Sequence, residues 1–466
     1  MVDREFNFST QMLKRWGRVV TITRFTPRLP QRTWYHRIPL TNKEYFFFTQ
    51  DDKPHVAGNY NMLRKIEFQT DANNEKICKA AEFACQALQS MHPHLRSVIQ
   101  DNHFVSTNKP IPLRIVRGND DSAIKDQILD HDFRVNFDLS NQVPLSVQLF
   151  LSPTHKFITM IMHHAICDGL SFTQAARRFM EFMIQYLKDE TQLKLPAPRA
   201  VPVHMWDLLP EFKLTGMVMI WSNIKFVLGL LGLVMQSKPL LLNSVEYGQK
   251  RFMKRVKLCY SMEETKGILQ LAHSFGSTVT ALFIALFSQA VSTATGSAFV
   301  SSAVTADMRQ NLKTTNASLD DLIAYQYGVI ISLKDPTQQS IEKMSKQIKS
   351  QIQHGATPHY MMTVSQNVCW LVTTFGKMTD TRKPSVLHFS FANLGVISDF
   401  PCEPAVLTSL LVDMNINMSS EAPQLFIQAF TINGQLSLNV NFSNVVNETM
   451  VQQIVNEVHE QIVHKL

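Results

Sequence analysis

Seven residues, His163-His164-Ala165-Ile166-Cys167-Asp168-Gly169, stand between an apolar run at Phe157–Met162 and an amphipathic stripe that opens at Ser171. The run is short, apolar and bounded by polar residues, as a buried strand is. The stripe places Phe172, Ala176, Phe179, Met180, Met183 and Leu187 three or four residues apart, and Ser171 is a residue type that caps a helix N-terminus. This stretch therefore reads as strand, tight turn and helix, with two imidazoles and a carboxylate held on the turn. Turns between rigid elements are where reactive groups are held, so the junction constrains fold and chemistry together.

The flanking chain repeats the same rhythm. Strands are expected at Met62–Phe68, Leu113–Arg117 and Leu145–Leu151, and a helix over Asn74–Met91 capped by Asp71 or Asn73. That helix stops ahead of Pro93, because the residue before a proline disfavours helical geometry. Residues 189–250 carry Pro196, Pro198, Pro202 and Pro210 and read as a connector. A second half opens near Phe252. Ser261 and Glu264 form a capping box for a helix ending at Phe275-Gly276, and Thr278 or Thr280 starts another that runs to Thr295. Strands at Ala298–Val304 and Tyr327–Ser332, a helix at Ser340–His354, strands at Val386–Phe391, Pro423–Ile432 and Gln435–Phe442, and a helix over Asn447–His464 complete it. Asn433-Gly434 is a two-residue hairpin signal. Each half is thus expected to be an α/β sandwich, giving three parts: 1–190, a connector at 191–250, and 251–466.

Composition narrows the partners without choosing one. With 45% hydrophobic and 18% charged residues among 466, disorder, collagen and coiled coil are excluded. The net charge of +7 is spread along the chain with no basic block, which argues against nucleic acid and suits an anionic small molecule, an acidic partner or a membrane surface. Six cysteines show no C-x-x-C pair and no framework spacing, so neither a metal site nor a disulfide scaffold is expected. Met1-Val2-Asp3-Arg4-Glu5-Phe6 lacks a signal-peptide core, making a cytoplasmic chain the expectation. Thirty Phe and 22 Met suit either ordinary core packing or the lining of an apolar cavity.

On the turn, an imidazole has the ordinary pKa of a general base working near neutrality. Asp168 is placed to restrain the turn by accepting hydrogen bonds or pairing with an arginine. Gly169 is expected to supply the backbone freedom for the reversal into the helix.

These residues resemble the H-H-x-x-x-D-G signature of the chloramphenicol acetyltransferase-like and condensation-domain superfamily, closest in look to its stand-alone alcohol acetyltransferase and polyketide-associated members. Weaker matches keep the family's order: Leu88 through His92-Pro93-His94-Leu95-Arg96, Phe137-Asp138-Leu139 with Pro144-Leu145, the helix opening at Ser261, and the closing hairpin at Asn433-Gly434. The resemblance implies two similar α/β sandwich domains forming a pseudo-dimer with the active site between them. It implies His164 as general base, with His163, Asp168 and Gly169 structural, and Arg309 as partner of Asp168. Asp307 stands beside Arg309 as a competitor, and Arg117 and Arg177 are alternative partners. Cys167 is expected to be packing.

Ser390, Asn393 and Gly395 resemble a channel segment of the alcohol acetyltransferases, where Asn393 either donates to the substrate carbonyl or is an ordinary turn asparagine. The implied activity is transfer of an acyl group from a coenzyme A or phosphopantetheinyl-carrier thioester to a hydroxyl of a lipid or natural product, by a monomer without a bound cofactor. Amide formation, cyclisation of a carrier-bound intermediate and a non-catalytic lipid- or carrier-binding role are the alternatives. The apolar stretch at 216–235, interrupted by Trp221-Ser222-Asn223 and Lys225, is too short in its cleanest run, Phe226–Val234, to span a bilayer, which takes about 20 apolar residues. A buried connector helix or tunnel wall is preferred for it over peripheral membrane contact.

Overall fold

A computed structural model describes residues 37–40, 61–117, 137–191, 193–203, 216–236, 253–309, 318, 320–360, 363, 367, 387–397, 406–415, 424–443 and 446–466. By internal contacts the chain divides into Met1–His36, outside the described residues, and Arg37–Leu466, which is the unit described below.

Two sheets organise this unit. The first contains β2 (Asn61–Gln69), β5 (Leu113–Arg117), β6 (Leu145–Leu151), β7 (Lys156–His163) and β12 (Val406–Asn415), in the order β12-β2-β7-β6-β5. Beside it, β1 (Arg37–Pro39), β3 (Ser97–Gln100) and β4 (His103–Ser106) make a small sheet of their own. The strand expected at Phe157–Met162 extends by one residue at each end, and it is buried at every position after Lys156. Such a run belongs to a strand covered on both faces, which explains why it shows no alternation. Helices α1 (Asn74–Met91) and α2 (Gly169–Lys188) lie side by side against this sheet. Of the two candidate caps for α1, the structure uses Asn73, whose Oδ1 accepts from the Lys76 amide at 2.8 Å. The expected stripe of Ile77, Ala80, Ala81, Ala84 and Leu88 is fully buried.

The second sheet has the order β10-β9-β11-β13-β14-β8 and is built from β8 (Met253–Cys259), β9 (Phe299–Asp307), β10 (Gln326–Lys334), β11 (Phe389–Val396), β13 (Leu425–Ile432) and β14 (Gln435–Ser443). Strand β11 runs parallel to both neighbours, while the other pairs are antiparallel. Helices α4 (Met262–Ser274), α5 (Val279–Thr295), α6 (Ile341–Gly355) and α7 (Glu448–Val463) pack with it around a separate hydrophobic core. The Ser261–Glu264 capping box is present with both hydrogen bonds. Asn433 and Gly434 join β13 to β14 with φ of 50° and 77°, the left-handed values that a two-residue hairpin requires.

The fold is therefore mixed α/β with two cores. They are not sequence-contiguous: β12, from the second half of the chain, pairs antiparallel with β2 along its whole length. Leu322, Ala392, Phe426 and Phe430 also pack into the first core. The first half's sheet is thus completed by a strand that lies in the chain between β11 and β13 of the second sheet.

Helix α3 (Gly216–Gln236) is continuous through Trp221 and Lys225, although the sequence suggested an interruption. The buried placement preferred for it is not what its described side chains show: Met217, Val218, Trp221 and Leu228 are exposed, and Asn223 is buried. Among the described residues no single helix is long and apolar enough to cross a membrane.

Candidate active site

The turn after β7 tightens into a single 3-10 turn, His164–Ile166, before α2 begins. His163 is fully buried, and its Nδ1 accepts from the Ala165 amide at 3.1 Å, which locks the start of the turn. His164 is 3% exposed. Its Nδ1 lies 2.8 Å from the Cys167 carbonyl oxygen. A carbonyl can only accept, so Nδ1 carries the proton and Nε2 presents a lone pair. That lone pair faces the second sheet, where the Gln326 side-chain nitrogen sits 3.0 Å away at the first residue of β10.

Asp168, 1% exposed, is the helix cap of α2, not Ser171. Ser171 instead occupies the third helical position and closes a capping box: its amide donates to Asp168 Oδ1 at 2.9 Å, and its hydroxyl accepts from the Asp168 amide at 2.9 Å. The other carboxylate oxygen reaches across to the second half. Asp168 Oδ2 accepts from Arg309 Nη1 and from the Tyr325 amide, each at 2.9 Å. Arg309 Nη1 also meets Asp307 Oδ1 at 2.9 Å, so Asp307 shares the arginine instead of displacing Asp168. Burial pulls the guanidinium down, but the two carboxylates outweigh it and hold Arg309 firmly charged. Of the alternative partners, Arg177 pairs with Glu181 on its own helix and Arg117 ends β5.

Gly169 does not have a positive φ, so its requirement is space, not backbone freedom. A methyl group there would stand 2.6 Å from Leu394 Cδ2. Gly169→Ala is expected to cost about 1 kcal/mol net, as overpacking of about 1–3 kcal/mol is partly offset by the better helix propensity of alanine. Thermal unfolding would read this as a lowered midpoint that Leu394→Ala restores in the double variant. A Leu394→Ala background that leaves the loss unchanged would contradict the contact.

Cys167 is fully buried, with its thiol 3.5 Å from the His163 carbonyl. Burial, with Asp168 second, pushes the thiol well above its ordinary range, the opposite of what a nucleophile needs. Asn393 has both ends of its amide engaged: Nδ2 donates to the Thr280 hydroxyl on α5 at 2.9 Å and Oδ1 accepts from the Gly395 amide two residues on at 2.8 Å. It lies at an irregularity in β11, Gly395 has a φ of +71°, and Ser390 is buried. The segment reaches the motif through Leu394.

Three contributors were given no role by the sequence. Arg64, fully buried in β2, donates to the Gly169 carbonyl at 2.7 Å and the Thr173 hydroxyl at 3.0 Å, pinning the start of α2. Asp320 accepts from Arg178, Gln174 and Arg199, tying the approach to β10 onto α2. Burial raises its carboxyl, yet those hydrogen bonds hold it well below the usual carboxylate range. His94, inside the match noted at 92–96, places Nδ1 2.9 Å from the Leu322 carbonyl, and burial lowers it to about 4. These contacts hold Asp320–Gln326 against the motif and so aim Gln326 at His164. Among the described residues no cluster of His, Cys, Asp and Glu could hold a metal ion.

Residues 43–207 match the family model described as Condensation domain. No curated protein matches the sequence. Among solved structures, the epimerization domain from the third module of tyrocidine synthetase B is similar at 14% identity, with a TM-score of 0.69 over 94% of this chain and 98% of that one. The trichothecene 15-O-acetyltransferase of Fusarium sporotrichioides is similar at 11% identity, with a TM-score of 0.70 over 92% and 96%. Polyketide synthase associated protein 5 of Mycobacterium tuberculosis is similar at 12% identity, with a TM-score of 0.65 over 91% and 98%.

Proposed function

With the fold of the condensation and chloramphenicol acetyltransferase-like superfamily as premise, we propose that the chain is an acyltransferase in which His164 is the general base. The observation that carries this reading is the His164–Cys167 hydrogen bond at 2.8 Å, which fixes the tautomer whose Nε2 can take a proton. Nε2 removes the proton of an acceptor hydroxyl as its oxygen bonds to a thioester carbonyl carbon. The tetrahedral intermediate then expels the thiolate, which recovers the proton from the imidazolium. His163, Asp168, Gly169 and Arg309 hold the turn in place. Ser390, Asn393 and Gly395 belong to the wall beside it.

The donor is a thioester of coenzyme A or of a phosphopantetheinyl carrier. The acceptor is a hydroxyl on a lipid or natural product, and the protein acts as a cytoplasmic monomer with no bound cofactor. Similarity to both an assembly-line domain and a stand-alone acetyltransferase supports a thioester donor in general. Amide formation is the second reading, since the same base serves an amine. The deciding experiment incubates purified protein with acyl-coenzyme A and acyl-carrier donors and hydroxyl or amine acceptors, following free thiol and product mass. Thioesters untouched by any acceptor would leave a binding role in its place.

Peripheral membrane contact through 216–235 is part of the proposal, supported by exposed Met217, Val218, Trp221 and Leu228 flanking Lys225 on one helix. Co-sedimentation with vesicles containing anionic lipid is expected to fall about tenfold in Trp221→Glu/Leu228→Glu, since exchanging interfacial apolar groups for charge costs at least 1.4 kcal/mol. Binding unchanged in that variant would remove the membrane from the proposal.

A further inference from the structure

Gln326 faces the lone pair on which the proposed chemistry depends, and its chemistry has a consequence for the acceptor. With Nδ1 of His164 donating to the Cys167 carbonyl, Nε2 can only accept, so the group 3.0 Å away is the N–H of the Gln326 amide. An acceptor that gives its proton to Nε2 has to take that position. Two nitrogens at 3.0 Å leave no room for an oxygen between them, because each hydrogen bond to it needs about 2.9 Å. Gln326 therefore swings aside on its flexible side chain, and its N–H meets the arriving group.

We infer that Gln326 is a specificity-determining residue that selects an oxygen nucleophile over a nitrogen one. The inference rests on His164 acting as base. A hydroxyl oxygen has two lone pairs: one accepts from Gln326 while the other attacks the carbonyl carbon, and its proton goes to Nε2. A neutral amine has a single lone pair. A hydrogen bond from Gln326 to that pair withdraws the electrons that must form the new C–N bond, and attack without it forgoes the contact that an oxygen nucleophile keeps. A site built to hydrogen-bond a substrate oxygen discriminates strongly for this reason.

The test compares 1-octanol with n-octylamine as acceptors of equal chain length, with rates expressed per unprotonated amine, in wild type, Gln326→Leu and Gln326→Glu. Neither variant side chain donates as the amide does. Octanol kcat/KM is expected to fall roughly 10- to 100-fold in both, with octylamine unchanged or faster, so that the alcohol-to-amine ratio drops at least tenfold. Separately, the side-chain amide signals of Gln326 in glutamine-labelled protein are expected to shift on adding 1-octanol without any donor. A ratio unchanged in folded Gln326→Leu overturns the inference, and so does an amide signal that octanol leaves in place. Failure of the base assignment looks different: His164→Ala would then keep transferring, and the octanol-induced amide shift alone would decide whether the alcohol site stands.

Discussion

His164→Ala is expected to lower acyl transfer by about 10²–10⁴-fold, the range that a positioned general base contributes. No other described group is placed to substitute for it. His163 is fully buried, with its Nδ1 committed to the Ala165 amide. The Cys167 thiol is held in its neutral form by burial. The substitution also removes the donor to the Cys167 carbonyl, and a buried carbonyl left without a partner costs about 1–3 kcal/mol. His164→Asn separates the two effects. Its amide can still donate to the Cys167 carbonyl but cannot act as a base at neutral pH, so its rate should fall as far as that of the alanine variant while its unfolding midpoint stays near wild type. Initial rates of thiol release, with circular dichroism on the same samples, read both quantities. Transfer within a few-fold of wild type in well-folded His164→Asn would show that Nε2 takes no proton in the rate-limiting step.

Local signals carried most of the fold. The Asn74–Met91 helix appears with the expected limits, because an Asn cap, a 3.6-residue stripe and a proline all act within a few residues of one another. The β13–β14 hairpin follows from two residues that tolerate left-handed φ. Long-range pairing was what the sequence concealed. Strand β12 has no turn signature linking it to β2, and its pairing depends on the sheet edge left open by the first half.

The site divides the same way. The Asp168–Arg309 pair was legible through family resemblance, whereas the cap of α2 was misplaced by three residues, because Asp168 and Ser171 are both capping types and only geometry decides which leads. Gly169 was assigned a conformational reason when the constraint is Leu394, a side chain from another strand. Arg64 and Gln326 were illegible for one reason: each is a polar residue on a strand whose partner lies in a different part of the chain. A strand pattern reports which face a residue occupies, not what the opposite element offers it.

The second large effect concerns Asp168, and it should be one of stability. The carboxylate caps α2, accepts from the Tyr325 amide and pairs with Arg309, all in a site where Asp168 and Arg309 side chains are 2% and 7% exposed. Asp168→Ala takes one of two carboxylates from a buried guanidinium, which keeps Asp307, and removes the acceptor of the Tyr325 amide and of a helix end. Breaking a buried pair from one side costs about 3–5 kcal/mol, and a lost cap adds about 1. Against a typical total of about 5–15 kcal/mol, this removes a large share of the stability of the fold. Arg309→Ala should cost less, because Asp168 keeps its cap and its Tyr325 hydrogen bond. The Asp168→Ala/Arg309→Ala double variant should be less damaged than the sum of the singles, since the Asp168–Arg309 interaction is lost once in it and counted twice in that sum. Denaturant unfolding of the four proteins closes this cycle, and exact additivity would mean that the two side chains do not interact. The pair acts on catalysis by holding the turn, so activity in Asp168→Ala should track the folded fraction and recover on cooling. Loss in His164→Asn should be the same at every temperature at which the protein is folded.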